Sequence, residues 1–282
     1  MKTNRMKTTC FIFAVLLLST ACENRTTLTV AHLCDPQLGF GADGFAADSA
    51  RFEQEIRQVN ELAPDLVVIA GDMVNDIREE HAVSTIVKLM AKIRPPVILT
   101  PGNHDLPDPV TAEGLARYRA VFGNDFSYIQ CKGRAIISAN SQLWREAPEE
   151  EKEAHRQKLH RTLQQAKKKK LPVILLTHVP PFVVSADEKE EYFNLPLDVR
   201  KELLDLAAEC GVVVWLSGHT HTTLQRTHAP FAILNGETTS VNFDNHPAGF
   251  RLLTVYPDRH FDWVFNALQD GETVDAGEET RQ

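Results

Sequence analysis

The sequence predicts an α/β domain, and three observations carry that prediction. Apolar runs alternate with amphipathic stretches through the first half of the 282-residue chain, which reads as repeated strand–helix units. The last quarter is mostly extended in pattern, so strands dominate there. Hydrophobic residues make up 43% and charged residues 24%, ordinary globular values that leave enough apolar surface for one large core.

Each element follows from its own stretch. Leu28 to His32 reads as the first strand. Ala47 to Leu62 places Phe52, Ile56 and Val59 on one helical face, and Pro64-Asp65 ends that helix. Leu66 to Ala70 is continuously apolar, as a strand buried on both faces must be. His81 to Ile93 is a helix with Val83, Ile86, Val87 and Met90 inward, and Val97 to Thr100 is the third strand. A helix over Thr111 to Phe122 leads into strands Phe126 to Ile129 and Arg134 to Ala139, joined at Lys132-Gly133. Pro148 to Lys170 is a long charged helix whose final lysines, Lys167 to Lys170, suit a solvated C-terminal end. A strand over Val173 to Thr177, a helix over Asp198 to Cys210 and a strand over Val212 to Leu216 follow. The closing strands are Leu252 to Tyr256 and His260 to Phe265, and residues 269–282 form a polar acidic tail.

The formal net charge of -8 offers no basic footprint for nucleic acid. Of five cysteines, Cys34, Cys131 and Cys210 lie beside or within apolar stretches at no metal-like spacing, and are expected as small buried side chains. No feature sets the oligomeric state.

Chemistry-bearing residues gather just past the carboxyl ends of the strands. Asp35 and Gln37 follow the first strand, Gly71-Asp72 the second, and Gly102-Asn103-His104-Asp105 the third. His178 follows the strand at Val173, and Gly218-His219-Thr220-His221 the strand at Val212. Taken singly, each has a bland reading. Asp35-Pro36-Gln37 and Gly71-Asp72 suit turns, Gly102-Asn103 suits a left-handed turn, and a lone histidine is often a satisfied buried one. Together they deliver carboxylate, amide and imidazole donors to the one sheet edge where α/β ligands bind. His219 and His221, two apart on an extended segment, would point the same way, and Gly218 allows close backbone approach. Mixed oxygen and nitrogen donors of this kind suit two divalent ions.

These blocks, in this order, resemble the calcineurin-like metallophosphoesterase superfamily over almost the whole mature chain. The Asp35-Pro36-Gln37 block, with Asn140-Ser141-Gln142 and Leu216-Ser217-Gly218-His219, is similar to the subgroup containing calcineurin-like phosphoesterase domain-containing protein 1. The resemblance implies an α/β metallophosphoesterase fold: two mixed β-sheets packed as a sandwich with helices on the outer faces. It implies that Asp35, Gln37, Asp72 and His221 hold one metal, and Asp72, Asn103, His178 and His219 the other, with Asp72 bridging. It implies hydrolysis of a phosphate ester by a water activated between the ions, with His104 protonating the leaving group and Asp105 holding the His104 ring. Most of the superfamily carries histidine where Gln37 stands. A neutral amide oxygen is a harder, weaker donor, so Mn²⁺, Mg²⁺ or Fe²⁺ is expected ahead of Zn²⁺. Whether His104 is the acid or only orients phosphate stays open. So does the substrate: phosphomonoester, phosphodiester or pyrophosphate. Rim loops are expected at Leu106 to Pro109, Asn140 to Trp144, Pro180 to Val184 and Asn242 to His246, with Asn245 and His246 either in a solvated turn, the favoured reading, or against the substrate. A catalytically weak binding or scaffold protein on the same fold is the alternative reading.

The N-terminus points to export. Lys2, Arg5 and Lys7 precede eight apolar residues, Phe11 to Leu18, a run too short to cross a bilayer. Small residues then lead into Cys22, which resembles a bacterial lipoprotein cleavage site, with Ser19 where leucine is usual. Residues 1–21 are therefore expected as a lipoprotein-type signal and 22–268 as one mature domain. Lipid on Cys22 would anchor that domain to a membrane, periplasmic or at the cell surface. An ordinary cleaved signal and a retained anchor are the other readings.

Overall fold

The structure, a computed structural model, describes residues 26–145 and 147–268. The expected signal, Cys22 and the acidic tail lie outside the described residues.

The first half builds strand–helix units in order: β1 (Leu28–Leu33), α1 (Phe45–Leu62), β2 (Leu66–Ile69), α2 (Glu80–Met90), β3 (Val97–Leu99) and α3 (Ala112–Phe122). α1 ends where Ala63 turns left-handed (φ 46°) before Pro64. α3 starts where the Thr111 hydroxyl accepts from Gly114 N–H at 3.0 Å. A hairpin of β4 (Ser127–Cys131) and β5 (Arg134–Ser138) follows. Lys132 and Gly133 are both left-handed (φ 46° and 74°), the two-residue turn whose twist matches the strands it joins. A 3₁₀ turn at Ser141–Trp144 leads to α4 (Glu149–Lys168), β6 (Val173–Leu176), α5 (Leu197–Glu209) and β7 (Val212–Ser217). The closing strands are β8 (Leu224–His228), β9 (Phe231–Asn235), β10 (Gly249–Val255) and β11 (Phe261–Ala267). The sequence pattern does not separate β8 from β9.

The strands form two mixed sheets, ordered β11-β10-β1-β2-β3 and β4-β5-β6-β7-β9-β8. β1, β2 and β3 run parallel, with β10 and β11 antiparallel beside β1. β5, β6, β7 and β9 run parallel, with β4 and β8 antiparallel at the edges. β2, β6 and β7 are buried along their whole length, which is why their sequences are continuous apolar runs.

Three apolar layers hold the sandwich. Val30, Val68, Ile174, Val214 and Leu253 pack between the sheets. Phe52, Ile56, Ile86 and Tyr118 pack α1, α2 and α3 onto the first sheet. Leu159, Leu163, Leu203 and Trp215 pack α4 and α5 onto the second. Burying each such side chain contributes about 1.5–3 kcal/mol, so the sheet positions are over-determined. In α2, Ala82, Ile86, Leu89 and Met90 are the buried residues, while Val83 and Val87 pack only half-buried at the edge of that layer. Cys34 and Cys210 are buried, but Cys131 is half-buried because it ends β4 at the hairpin, beside Lys132. Lys167 to Lys170 are exposed, and Lys167 meets Glu209 at 2.7 Å.

Candidate metal centre

Parallel strands leave one common edge at their carboxyl ends, and the loops there converge. The chains after β1 and β2 stay paired past the strands: Gln37 N–H donates to the Asp72 carbonyl at 2.8 Å, and Asn75 N–H to the Leu38 carbonyl at 3.1 Å. That pairing sets Asp35, Gln37 and Asp72 side by side. Asp35, Gln37, Asp72, His219 and His221 all have left-handed backbones, with φ between 36° and 71°. Each such residue costs of order 1–3 kcal/mol, and clusters of them belong to functional sites. Glycines make the close approaches possible. A Cβ on Gly218 would sit 2.4 Å from Asp35 Oδ2, and one on Gly102 2.0 Å from Asp72 Oδ1. Gly102 and Asn103 are not left-handed, so Gly102 serves close approach rather than a left-handed turn.

Every histidine of the cluster is held by a backbone carbonyl at one ring nitrogen, which leaves the other for a ligand. His178 Nδ1 meets the Ala70 carbonyl at 2.6 Å, and its Nε2 lies 3.3 Å from Asp72 Oδ2 and 3.0 Å from Asn103 Oδ1. His221 Nδ1 meets the Val241 carbonyl at 2.7 Å, with Nε2 3.7 Å from Asp35 Oδ1. His219 uses the opposite nitrogen: Nε2 meets the Tyr192 carbonyl at 2.9 Å, which leaves Nδ1. The turn at Gly218 to His221 is not extended. Its two left-handed histidines diverge, His219 toward Asp72 and His178, and His221 toward Asp35 and Asp72. Two donor triads result, each with its ligand atoms within 4.8 Å of one another, and Asp72 belongs to both.

Charge inside the cluster is uneven. Burial pushes the Asp35 carboxyl up to about 6, against the pull of His178 and His221. Burial also acts upward on Asp72, but the charge and hydrogen bond of His178 bring it well below the usual carboxylate range. Burial disfavours a charged His178, yet Asp72 keeps the ring protonated up to about 9. Burial lowers His219 to about 3. One neutral imidazole and a tight carboxylate–imidazolium pair therefore share the centre.

The donors fit divalent ions. Gln37 Oε1 is fully buried and has no hydrogen-bond partner among the described residues, which is costly unless something electropositive meets it. Its Nε2 is tied to Asn75 Oδ1 at 3.4 Å. Asp35 accepts from His219 N–H and Asp72 from His104 N–H, so each carboxylate is oriented with lone pairs to spare.

His104 and Asp105 do not meet as expected. His104 Nδ1 rests on the Asn75 carbonyl at 2.8 Å. Asp105 is fully buried and accepts from Met73 N–H and Gly102 N–H, each at 2.9 Å. Asp105 ties the β2 loop to the β3 loop, and its role on the His104 ring passes to Asn75. The reason is geometric: a neighbour in sequence at a sharp turn points away, and the paired β1–β2 loops bring Asn75 instead. Burial and the Asp72 charge push Asp105 up to about 7. Sequence reasoning also missed Tyr192, whose hydroxyl accepts from Asn103 Nδ2 at 3.1 Å while its carbonyl holds His219. Its signal was an aromatic pair, Tyr192-Phe193, in an otherwise polar loop. Of the expected rim, Asn242 to His246 is a turn in which Asp244 caps Thr223, with Asn245 left-handed and exposed.

A family model described as calcineurin-like phosphoesterase matches residues 28–223. The chain belongs to the calcineurin-like phosphoesterase family. It is a metal-dependent phosphoester hydrolase, and the two triads sharing Asp72 are candidates for the dimetal centre with which the family works. This phosphoesterase is 28% identical over 249 residues to the serine/threonine-protein phosphatase CPPED1 of Homo sapiens, covering 80% of this chain and 79% of the relative. It is 26% identical over 248 residues to the Rattus norvegicus protein of that name, with coverage of 80% and 79%. Among solved structures, a dimetal phosphatase from Danio rerio aligns with a TM-score of 0.63 at 14% identity, over 86% of this chain and 99% of that one. GAP50, described as the anchor in the inner membrane complex of Plasmodium, aligns at 0.60 and 15% identity, over 88% and 87%. At these identities the structural likeness concerns the fold alone.

Proposed function

We propose that the protein is an exported phosphomonoesterase, with one divalent cation on Asp35, Gln37, Asp72 and His221 and another on Asp72, Asn103, His178 and His219. The observation that carries this reading is the pair of buried triads meeting at Asp72, completed by the partnerless Gln37 Oε1. Curated relatives named serine/threonine-protein phosphatases, which cleave monoesters, support that substrate class. The first set holds three oxygen donors and one nitrogen, which favours Mn²⁺, Mg²⁺ or Fe²⁺ over Zn²⁺. The order of residues 1–22 supports export with lipid on Cys22.

Bound there, the cations supply an acidified water as nucleophile and neutralise charge on the phosphoryl oxygens. The chain's own groups do the rest. Asp72 loses its proton partner when His178 gives up the Nε2 proton, freeing both for ligation. The carbonyls of Ala70, Val241 and Tyr192 fix the three ring orientations. Phe40 and Phe243 pack on His221 with centroids 5.2 and 4.8 Å away, and Tyr192 and Phe193 on His219 at 4.9 and 5.5 Å, which limits water on both flanks. His104, steadied by the Asn75 carbonyl at Nδ1, gives the Nε2 proton to the leaving oxygen.

The test is metal content and turnover of purified protein on a panel of phosphomonoesters, phosphodiesters and pyrophosphate with Mn²⁺. Asp72→Asn should lose metal and turnover together, and full activity in that variant would sink the two-cation reading. Turnover of diesters alone would sink the monoester class. For export, Cys22→Ala should leave the membrane fraction; retention there at unchanged mobility overturns the lipid anchor. The anchor role of GAP50 keeps a scaffold reading in view, since the fold accommodates both. Metal-replete protein that turns over nothing on the panel would favour it.

A further inference from the structure

Beside the metal centre lies a cavity of about 360 Å³, at the small end for small-molecule sites. Asn103 and Tyr192 belong to both, so the cavity begins where the second set of donors ends. Its walls carry both cations and acids. Gln142 and Trp144 line it, only 4% and 2% exposed, and neither Gln142 Nε2 nor Trp144 Nε1 has an acceptor among the described residues. Arg145 and Lys152, both half-buried, line it too, and neither is ion-paired with an acid among the described residues. The Arg145 guanidinium instead lies 5.3 Å over the Tyr192 ring, which holds it at the wall. Three acids, Asp108, Glu190 and Asp198, also line the cavity, and all three are exposed to solvent.

Arg145 and Lys152, two cations without an ion-pair partner among the described residues and next to the metal centre, call for an anionic guest. We propose that this cavity seats the non-phosphoryl part of the substrate and selects esters bearing a second anionic oxygen group, a carboxylate or a second phosphate. The proposal rests on the phosphomonoesterase reading and deepens it. A neutral tail would leave both cations unmatched, and unmatched polar groups are what make a site discriminate. Arg145 and Lys152 are the charge-reading pair.

Three esters on a shared three-carbon chain test this: 3-hydroxypropyl phosphate, 2-carboxyethyl phosphate and propane-1,3-diyl bisphosphate. They carry no second anion, a carboxylate and a phosphate respectively, so the two arms separate the sources of the anion. The readout is the ratio of kcat/KM for each anionic ester to that of the hydroxyl ester, at constant Mn²⁺ and salt. The intact protein should favour at least one anionic ester by about tenfold to a hundredfold, the worth of a charge-assisted hydrogen bond. Arg145→Met should bring the ratio close to one, and Lys152→Met should lower it; both positions are half-exposed helix or loop sites that tolerate the change. A ratio near one in the intact protein overturns the subsite while leaving the phosphoesterase reading standing. A preference that survives in both variants overturns the assignment as well. No turnover on these esters or on p-nitrophenyl phosphate overturns the reading beneath it.

Discussion

Gln37→Met separates a ligand from a turn residue, because the two roles predict opposite signs. Methionine keeps the chain length and, like glutamine, is not glycine, so the cost of φ 36° is unchanged. The substitution removes Oε1, a buried acceptor without a partner among the described residues, whose desolvation costs about 1–3 kcal/mol in the metal-free protein. It also removes the Nε2 bond to Asn75, which at 3.4 Å is long and contributes little. The metal-free variant should therefore be more stable by about 1–2 kcal/mol, or about 2–8 °C in Tm for a chain of this size. Loss of one donor should weaken Mn²⁺ binding at least about tenfold, which removes about 1.4 kcal/mol of the stabilisation that saturating ion provides. Urea denaturation with chelator and with excess Mn²⁺ reads both effects. The variant should lead with chelator and lose its advantage with Mn²⁺. A variant that is less stable with chelator and binds Mn²⁺ like the parent would refute the ligand role and leave Gln37 as part of the turn.

The remaining predictions concern protons. His104→Ala should keep the metals but lower kcat by about 10²–10⁴-fold on an alkyl phosphate, and less on p-nitrophenyl phosphate, whose leaving oxygen needs no proton. Equal losses on both esters would leave His104 as a phosphate-orienting residue. Metal must displace the proton that Asp72 holds on His178 up to about 9, so affinity should rise about tenfold per pH unit from neutrality toward that value. Titration with an indicator dye across pH 6.5 to 8.5 checks this, and a flat profile contradicts the paired Asp72–His178 state. His155, buried against Trp144 and Phe126 at 5.5 and 5.6 Å, is lowered by burial from 6.5 to about 4. The unfolded chain then binds the proton first, so stability is full above 6.5 and falls as pH drops toward 4. His155→Phe should remove on the order of 2–3 kcal/mol of that acid-side loss by pH 4.5 in urea titrations. An unchanged acid limb would show that His155 ionises freely in the fold.

By itself the sequence determined the fold class and the edge on which chemistry falls. Continuous apolar runs at Leu66 and Val212 suit strands covered on both faces, and strand–helix alternation sets such strands parallel, so the polar residues after them fall at one edge. The motif order then named the family, the donors and the expected sharing of Asp72. Side-chain direction was beyond it. His219 and His221 are two apart, which means one side only while the backbone is extended; left-handed φ values of 71° and 49° send them to different triads. Asp105 follows His104 in sequence, yet Asn75, 29 residues earlier, carries the His104 ring. The cavity walls come from Gln142 and Arg145 on one segment and Tyr192 on another, joined only when the loop before α5 folds onto the 3₁₀ turn. Local propensity and periodicity act over a few residues and fix elements. Which polar atoms meet is settled by loop pairing between distant strands, because a buried donor or acceptor takes whichever partner the packed backbone brings within reach.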